Sequence, residues 1–166
     1  MPLVDTVLPE FDNEMAVTRR VLERAPETAF AWRPHDKSWT LGGLCTHIAQ
    51  IPHWGVAILN FDSYDTVRDA GQRNPEKTTV ADVLTTFDGH VTHARARLVS
   101  ASDAELMGPW ALKRDGEIVM SLPRIASFKS FAISHLIHHR GQLSVYLRLQ
   151  NVPLPPIYGP TADEGI

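Results

Sequence analysis

Residues 123–150, PRIASFKSFAISHLIHHRGQLSVYLRLQ, decide the fold of this chain. Phe128, Ala132, His135, His139, Leu143 and Tyr146 recur at steps of three and four, the spacing that places side chains on one face of an α-helix. Pro123 stands where a first helical turn tolerates its missing N–H, and the NVPLPPIYGP that follows Gln150 cannot continue a helix. The segment therefore predicts a helix over about 123–150 with His135 and His139 on its inward stripe. Residues 151–166 are expected to form an extended tail that lies over the helices or projects from them.

Three more stretches carry helical periodicity. One spans about 3–24, with Val4, Leu8, Phe11, Met15 and Leu22 on a stripe that Ala25-Pro26 brings to an end. Another spans about 41–60, with Thr40 as N-cap and Leu44, His47, Ile51, Trp54 and Ile58 in line; Pro52 predicts a kink or early stop near 48–52. The third, about 79–101, repeats Val80, Leu84, Phe87, Val91, Ala94 and Leu98. Between them lie the aromatic and polar loop AFAWRPHDKSW and a long polar connection over 61–77. Asp115-Gly116 inside WALKRDGEIVM predicts a type I′ β-hairpin before the last helix. Four amphipathic helices bury their stripes against one another, so an all-α four-helix bundle in one domain over 1–166 is expected.

Composition agrees and excludes other classes. The 166 residues carry 16 Lys+Arg against 19 Asp+Glu, a formal net charge of −3, and are 43% hydrophobic, enough for one real core. With no broad positive field, a DNA-binding role is the weakest of the functional readings, and no nucleic-acid partner is expected. The single cysteine, Cys45, rules out a disulfide framework within the chain and fits a cytoplasmic location. MPLVDTVLPEFDNEM lacks the basic and apolar regions of a signal peptide, and no apolar run is long enough for a membrane span, so no membrane partner is expected.

The chain has eight histidines, His35, His47, His53, His90, His93, His135, His138 and His139. His135 and His139, four apart on a helix, can both reach one ion. His47 holds the corresponding inward position of the second helix, and three neutral imidazoles from two helices suit Zn²⁺, Ni²⁺, Fe²⁺ or Cu²⁺ with positions left open for water or substrate. The spacing alone leaves a second reading open, in which these are core histidines satisfied by ordinary polar partners. His138 is turned about 100° from His139 and reads as a flank or interface residue. His90 and His93, three apart, form either a second site or a solvated pair, while His35 and His53 have no partner at ligand spacing. Cys45 reads as a buried structural thiol, and Gln142 and Tyr146 either support the site or are ordinary polar positions. His135-Leu136-Ile137-His138-His139 lacks the glutamate of a zincin motif, and the last helix lacks the carboxylates of a di-iron centre. Gly-rich phosphate loops and a nucleophile elbow are absent too.

The run His135 to Leu143, HLIHHRGQL, with Tyr146-Leu147-Arg148 and the tail PPIYGPTADE (155–164), resembles the C-terminal signature of the DinB/YfiT-like superfamily. SWTLGGLCTHIA (38–49) resembles that family's first-ligand region, and the likeness spans essentially the whole chain. Thr161 stands where many members have Ser. The resemblance implies a four-helix bundle with non up-down connectivity and one divalent metal held by His47, His135 and His139, with Zn, Ni or Fe foremost. It also implies a homodimer, and for the enzymes among its relatives a low-molecular-weight thiol such as mycothiol or bacillithiol as cosubstrate. The leading functional expectation is accordingly a metal-dependent thiol S-transferase or hydrolase acting on a small molecule. The alternative is a non-enzymatic metal-binding or stress-response interaction protein in which the metal contributes stability.

Overall fold

Helix α1 (Val4–Leu22) forms because Val7, Phe11, Met15 and Leu22 bury along one face, and it runs through Pro9 within its second turn. The computed structural model describes residues 1–69 and 75–165. In α2 (Leu41–Gln50) the expected cap is in place, with Thr40 Oγ1 accepting from Gly43 N–H at 3.0 Å. α3 (Pro52–Asn60) continues from it through Ile51, which keeps helical dihedrals (φ −57°, ψ −41°). Pro52 thus interrupts the hydrogen-bond ladder at the place the sequence indicates without ending the helical path.

Next come β1 (Ser63–Asp65), α4 (Val80–Ser100, capped by Thr79), α5 (Asp103–Met107), β2 (Pro109–Arg114) and β3 (Glu117–Pro123). α5 starts with a reciprocal capping box of Ser102 and Glu105. β2 and β3 form the expected hairpin, and both turn residues have positive φ, Asp115 at 49° and Gly116 at 90°. The connection over 61–77 is more than a loop, because β1 pairs in parallel with β2 and extends the hairpin to a three-stranded sheet. The fold is therefore mostly helical rather than all-α. Part of the 61–77 stretch, residues 70–74, lies outside the described residues.

Asp65 explains why β1 is there. Its carboxylate is buried and accepts from the N–H groups of Val67, Arg68, Asp115 and Gly116 at 2.7–3.1 Å, joining the β1 turn to the hairpin tip. Burial opposes ionisation, but the four N–H groups outweigh it and hold the carboxyl well below the usual carboxylate range.

The last helical stretch has three parts, α6 (Arg124–Phe128), a π-helical turn (Lys129–Ser134) and α7 (His135–Leu149). Phe128, Ala132, Leu136 and Arg140 are buried in successive steps of four, with Ser127, Ile133, Leu143 and Leu147 buried beside them. Three successive steps of four overrun the 3.6-residue turn by about one residue in total. The wider π turn takes up that excess. The inward stripe read from the sequence is therefore displaced by one residue: Leu136 and Arg140 are buried, and His135 and His139 stand half-buried at the stripe's edge.

α1 and α2 each pack on both α4 and α7, while α3 packs on α4, α6 and the π turn. Gly55 permits a close approach of α3 to α4 and α6, since a Cβ there would stand 2.7 Å from Phe128 Cε2 and 3.3 Å from Ala94 Cβ. The apolar side chains of these helices and Trp110 of β2 join in one core cluster.

Arg140 is the charged exception within that core, only 1% exposed. Its Nη2 pairs with Glu14 Oε2 at 2.7 Å, and its Nη1 donates to Glu14 O and Thr18 Oγ1, each at 3.2 Å. Tyr158 of the tail donates to the same Glu14 carboxylate at 3.0 Å and lays its ring 5.1 Å from the guanidinium. Arg148–Asp163 and Arg24–Glu164 pairs fasten the tail further on. Thr161 donates to Leu154 O and accepts from the N–H groups of Asp163 and Glu164. The tail thus lies over the helices. Among the described residues, no helix is long and apolar enough to cross a membrane.

Arg140→Met leaves a buried carboxylate unpaired and is expected to cost about 3–5 kcal/mol by denaturant titration, with Glu14→Leu in the same chain recovering much of the loss. Asp65→Asn is expected to melt at a lower temperature than the parent at pH 7. The gap should narrow as pH falls below about 4, because a carboxylate whose folded pKa is depressed loses its stabilising advantage as it protonates.

Candidate metal centre

His47, half-buried in α2, faces His135 and His139, which project from successive turns of α7. Nε2 of His47 lies 3.4 Å from Nε2 of His135, which lies 2.9 Å from Nε2 of His139. The three offer ligand atoms that all fall within 4.8 Å of one another. Metal–nitrogen bonds of about 2.0–2.1 Å separate neighbouring donors by about 2.9 Å at a right angle and about 3.4 Å at a tetrahedral angle, so the spacings suit one ion.

The surroundings favour neutral rings. His139 Nδ1–H donates to Gln142 Oε1 at 2.7 Å, which in the neutral ring leaves the lone pair on Nε2, toward the other two histidines. Burial lowers the pKa of His139, the Gln142 hydrogen bond opposes the shift, and His138 adds to it. Burial also lowers His135, reinforced by His139 and His138 and opposed by the Phe131 carbonyl. Nδ1 of His135 is buried without a regular hydrogen bond, while its Nε2 faces both other rings. Unprotonated nitrogens turned toward one point are what a cation requires.

Trp39 walls one side. Its ring stacks on His139 at 5.6 Å with 10° between planes and meets His47 edge-on at 4.4 Å. Tyr146 holds the wall, donating its hydroxyl to Trp39 O at 3.3 Å and packing edge-on against Trp32. A cavity of about 520 Å³ opens beside His47, with Arg33, Trp39, Thr40, Gln50 and Glu76 among its lining residues. Glu76 accepts from the Thr40 hydroxyl at 2.6 Å.

A model of the DinB family matches residues 2–165. The chain belongs to the DinB family. A DinB-like protein of Bacillus cereus ATCC 10987 superposes with a TM-score of 0.73 at 20% identity, covering 93% of this chain and 97% of that one. A DinB-like protein of Bacillus subtilis gives 0.71 at 19% identity, covering 92% and 96%. The uncharacterized protein YrdA of Bacillus subtilis strain 168 is 23% identical over 161 residues, 97% of this chain and 91% of its own length. The solved neighbours share the DinB fold at identities where fold alone is comparable.

Within this DinB chain the other histidines separate as follows. His138 is exposed and takes a hydrogen bond from Gln142 Nε2 at 3.2 Å, outside the triad. His35 accepts from Lys37 N–H in the loop before α2. His90 stands beside His53, a residue for which the spacing offered no partner, because the pairing crosses from α3 to α4. Cys45 is buried, as expected, and burial with the nearby Glu76 carboxylate pushes its thiol up to about 12. Gln142 bonds His139, and Tyr146 bonds the backbone of Trp39, whose ring stacks on His139. Trp39 went unread: its only local signal was an aromatic residue directly before the Thr40 cap, and its target lies in a different helix. Replacing Gln142 with Leu is expected to weaken zinc binding by the triad about 10–100-fold in competition with a chelating dye, by releasing the Nδ1–H that orients His139.

Proposed function

We propose that this DinB family chain, one domain over 1–166 with non up-down connectivity of its helices, holds one Zn²⁺, Ni²⁺ or Fe²⁺ ion through His47, His135 and His139. The reading extends to catalysis: thiol S-transfer or hydrolysis of a small molecule, with a low-molecular-weight thiol as cosubstrate in the first case. The observation that carries it is the convergence of three Nε2 atoms at 2.9 and 3.4 Å beside a 520 Å³ cavity. The shared packing of α1 and α2 on α4 and α7 supports the connectivity.

An ion of this class supplies Lewis acidity, lowering the proton affinity of a water or thiol brought to its open face. The side chains of the chain do the rest. Gln142 fixes the orientation of His139, Trp39 keeps solvent from one side of the rings, and Tyr146 keeps Trp39 in place. Arg33 and Glu76 place one positive and one negative group on the cavity lining, suited to orienting a polar substrate. Cys45 does not serve as nucleophile, since its thiol is buried and held protonated. A reacting thiol must then come from solution, which supports a diffusible cosubstrate.

Elemental analysis of untagged protein, followed by a screen of thiol-conjugation and ester-hydrolysis substrates, tests both levels. His139→Asn is expected to lose the triad metal, and chelation is expected to abolish whichever activity the screen finds. Activity that survives complete chelation would refute the catalytic reading, and an unchanged metal content in His139→Asn would refute the triad.

A further inference from the structure

A second group of histidines lies on the seam between α3 and α4, built from residues the triad does not use. His53 stands in the first turn of α3 and His90 in α4, with ring centroids 5.2 Å apart and planes inclined at 46°. Nδ1–H of His90 donates to the carbonyl of Ala49, in the last turn of α2, at 3.0 Å. That bond fixes the ring and its tautomer and leaves Nε2 as the free lone pair, an arrangement that metal-binding histidines characteristically adopt. His93 is one turn farther along α4 on the same side, and its exposed side chain has rotamer freedom. His53 and His93 both face solvent, so an ion can enter without opening the core.

We propose that His53, His90 and His93 form a second, solvent-accessible site for a borderline divalent cation such as Zn²⁺, Ni²⁺ or Cu²⁺. Neutral imidazole is the ligand form such a cation takes. Only the triad has all its ligand atoms drawn together, among the described residues. The second site must gather His93 by rotation on binding and is therefore the weaker of the two. Its three ligands come from two helices that meet beside the Pro52 break, so an occupied site clamps α3 to α4 at the point where the helical ladder is interrupted.

Zinc titration of metal-free, untagged protein by calorimetry, read alongside equilibrium dialysis and elemental analysis, tests this. Two classes of site per chain are expected. His53→Gln and His90→Gln should each weaken the second class at least about tenfold and leave the tighter one in place, and His135→Asn should do the reverse. His53 is exposed, so its substitution leaves the fold intact, and circular dichroism of each variant verifies this. Zinc isotherms of His53→Gln and His90→Gln that superimpose on the parent would overturn the second site, whatever happens at the triad. Loss of the tight class in His135→Asn with the weaker one retained would support it.

Discussion

The buried pair of Arg140 and Glu14 governs the geometry of this molecule. Arg140 follows His139 directly, so anchoring its guanidinium against α1 sets the rotation of α7 about its own axis. With that rotation set, His139 and His135 can only emerge on the side that faces α2. Two unpaired charges in a core would be costly, and the arrangement is tolerated because Glu14, Thr18 and Tyr158 together satisfy the guanidinium and carboxylate. Tyr158 brings the tail into the same network. The YGP segment and the histidine helix, distant in sequence, are thus two halves of one polar plug.

Much of this was legible beforehand because it is local. Helix stripes, the Thr40 cap, the Asp115-Gly116 turn and the interruption at Pro52 each depend on a few neighbouring residues. The short helix α5 could have been read from Ser102 and Glu105, whose spacing is a capping box, but the helix is too brief to leave a periodic stripe. β1 was not legible, since a three-residue strand carries almost no alternation and depends on Asp65 meeting backbone amides some fifty residues away.

The site shows the same division. His135 and His139 announce themselves by spacing, and His47 needed either a structure or the family resemblance to be joined to them. Even so, periodicity misjudged the depth. A regular 3.6-residue count made the histidines core residues, whereas they border the core and Arg140 occupies it. That difference matters chemically, because a rim position gives the rings a dry side that disfavours protonation while they still meet His47, which lines the cavity. The His53–His90 contact was invisible for a simpler reason: nothing in one helix reports which residue of another will lie across from it.

The π turn at Lys129–Ser134 has a bearing on how such chains tolerate change. It acts as a splice between two helical registers on a single axis, one serving Phe128 and its packing against Gly55, the other serving Arg140 and the histidines. Deleting one residue from it would yield a straighter, more regular helix and would look harmless in an alignment. It would also turn everything downstream by about 100° relative to everything upstream, so that the two registers could no longer be satisfied together. Length in this segment is consequently held more tightly than composition, and side-chain replacements at its exposed positions should be accepted far more readily than insertions or deletions.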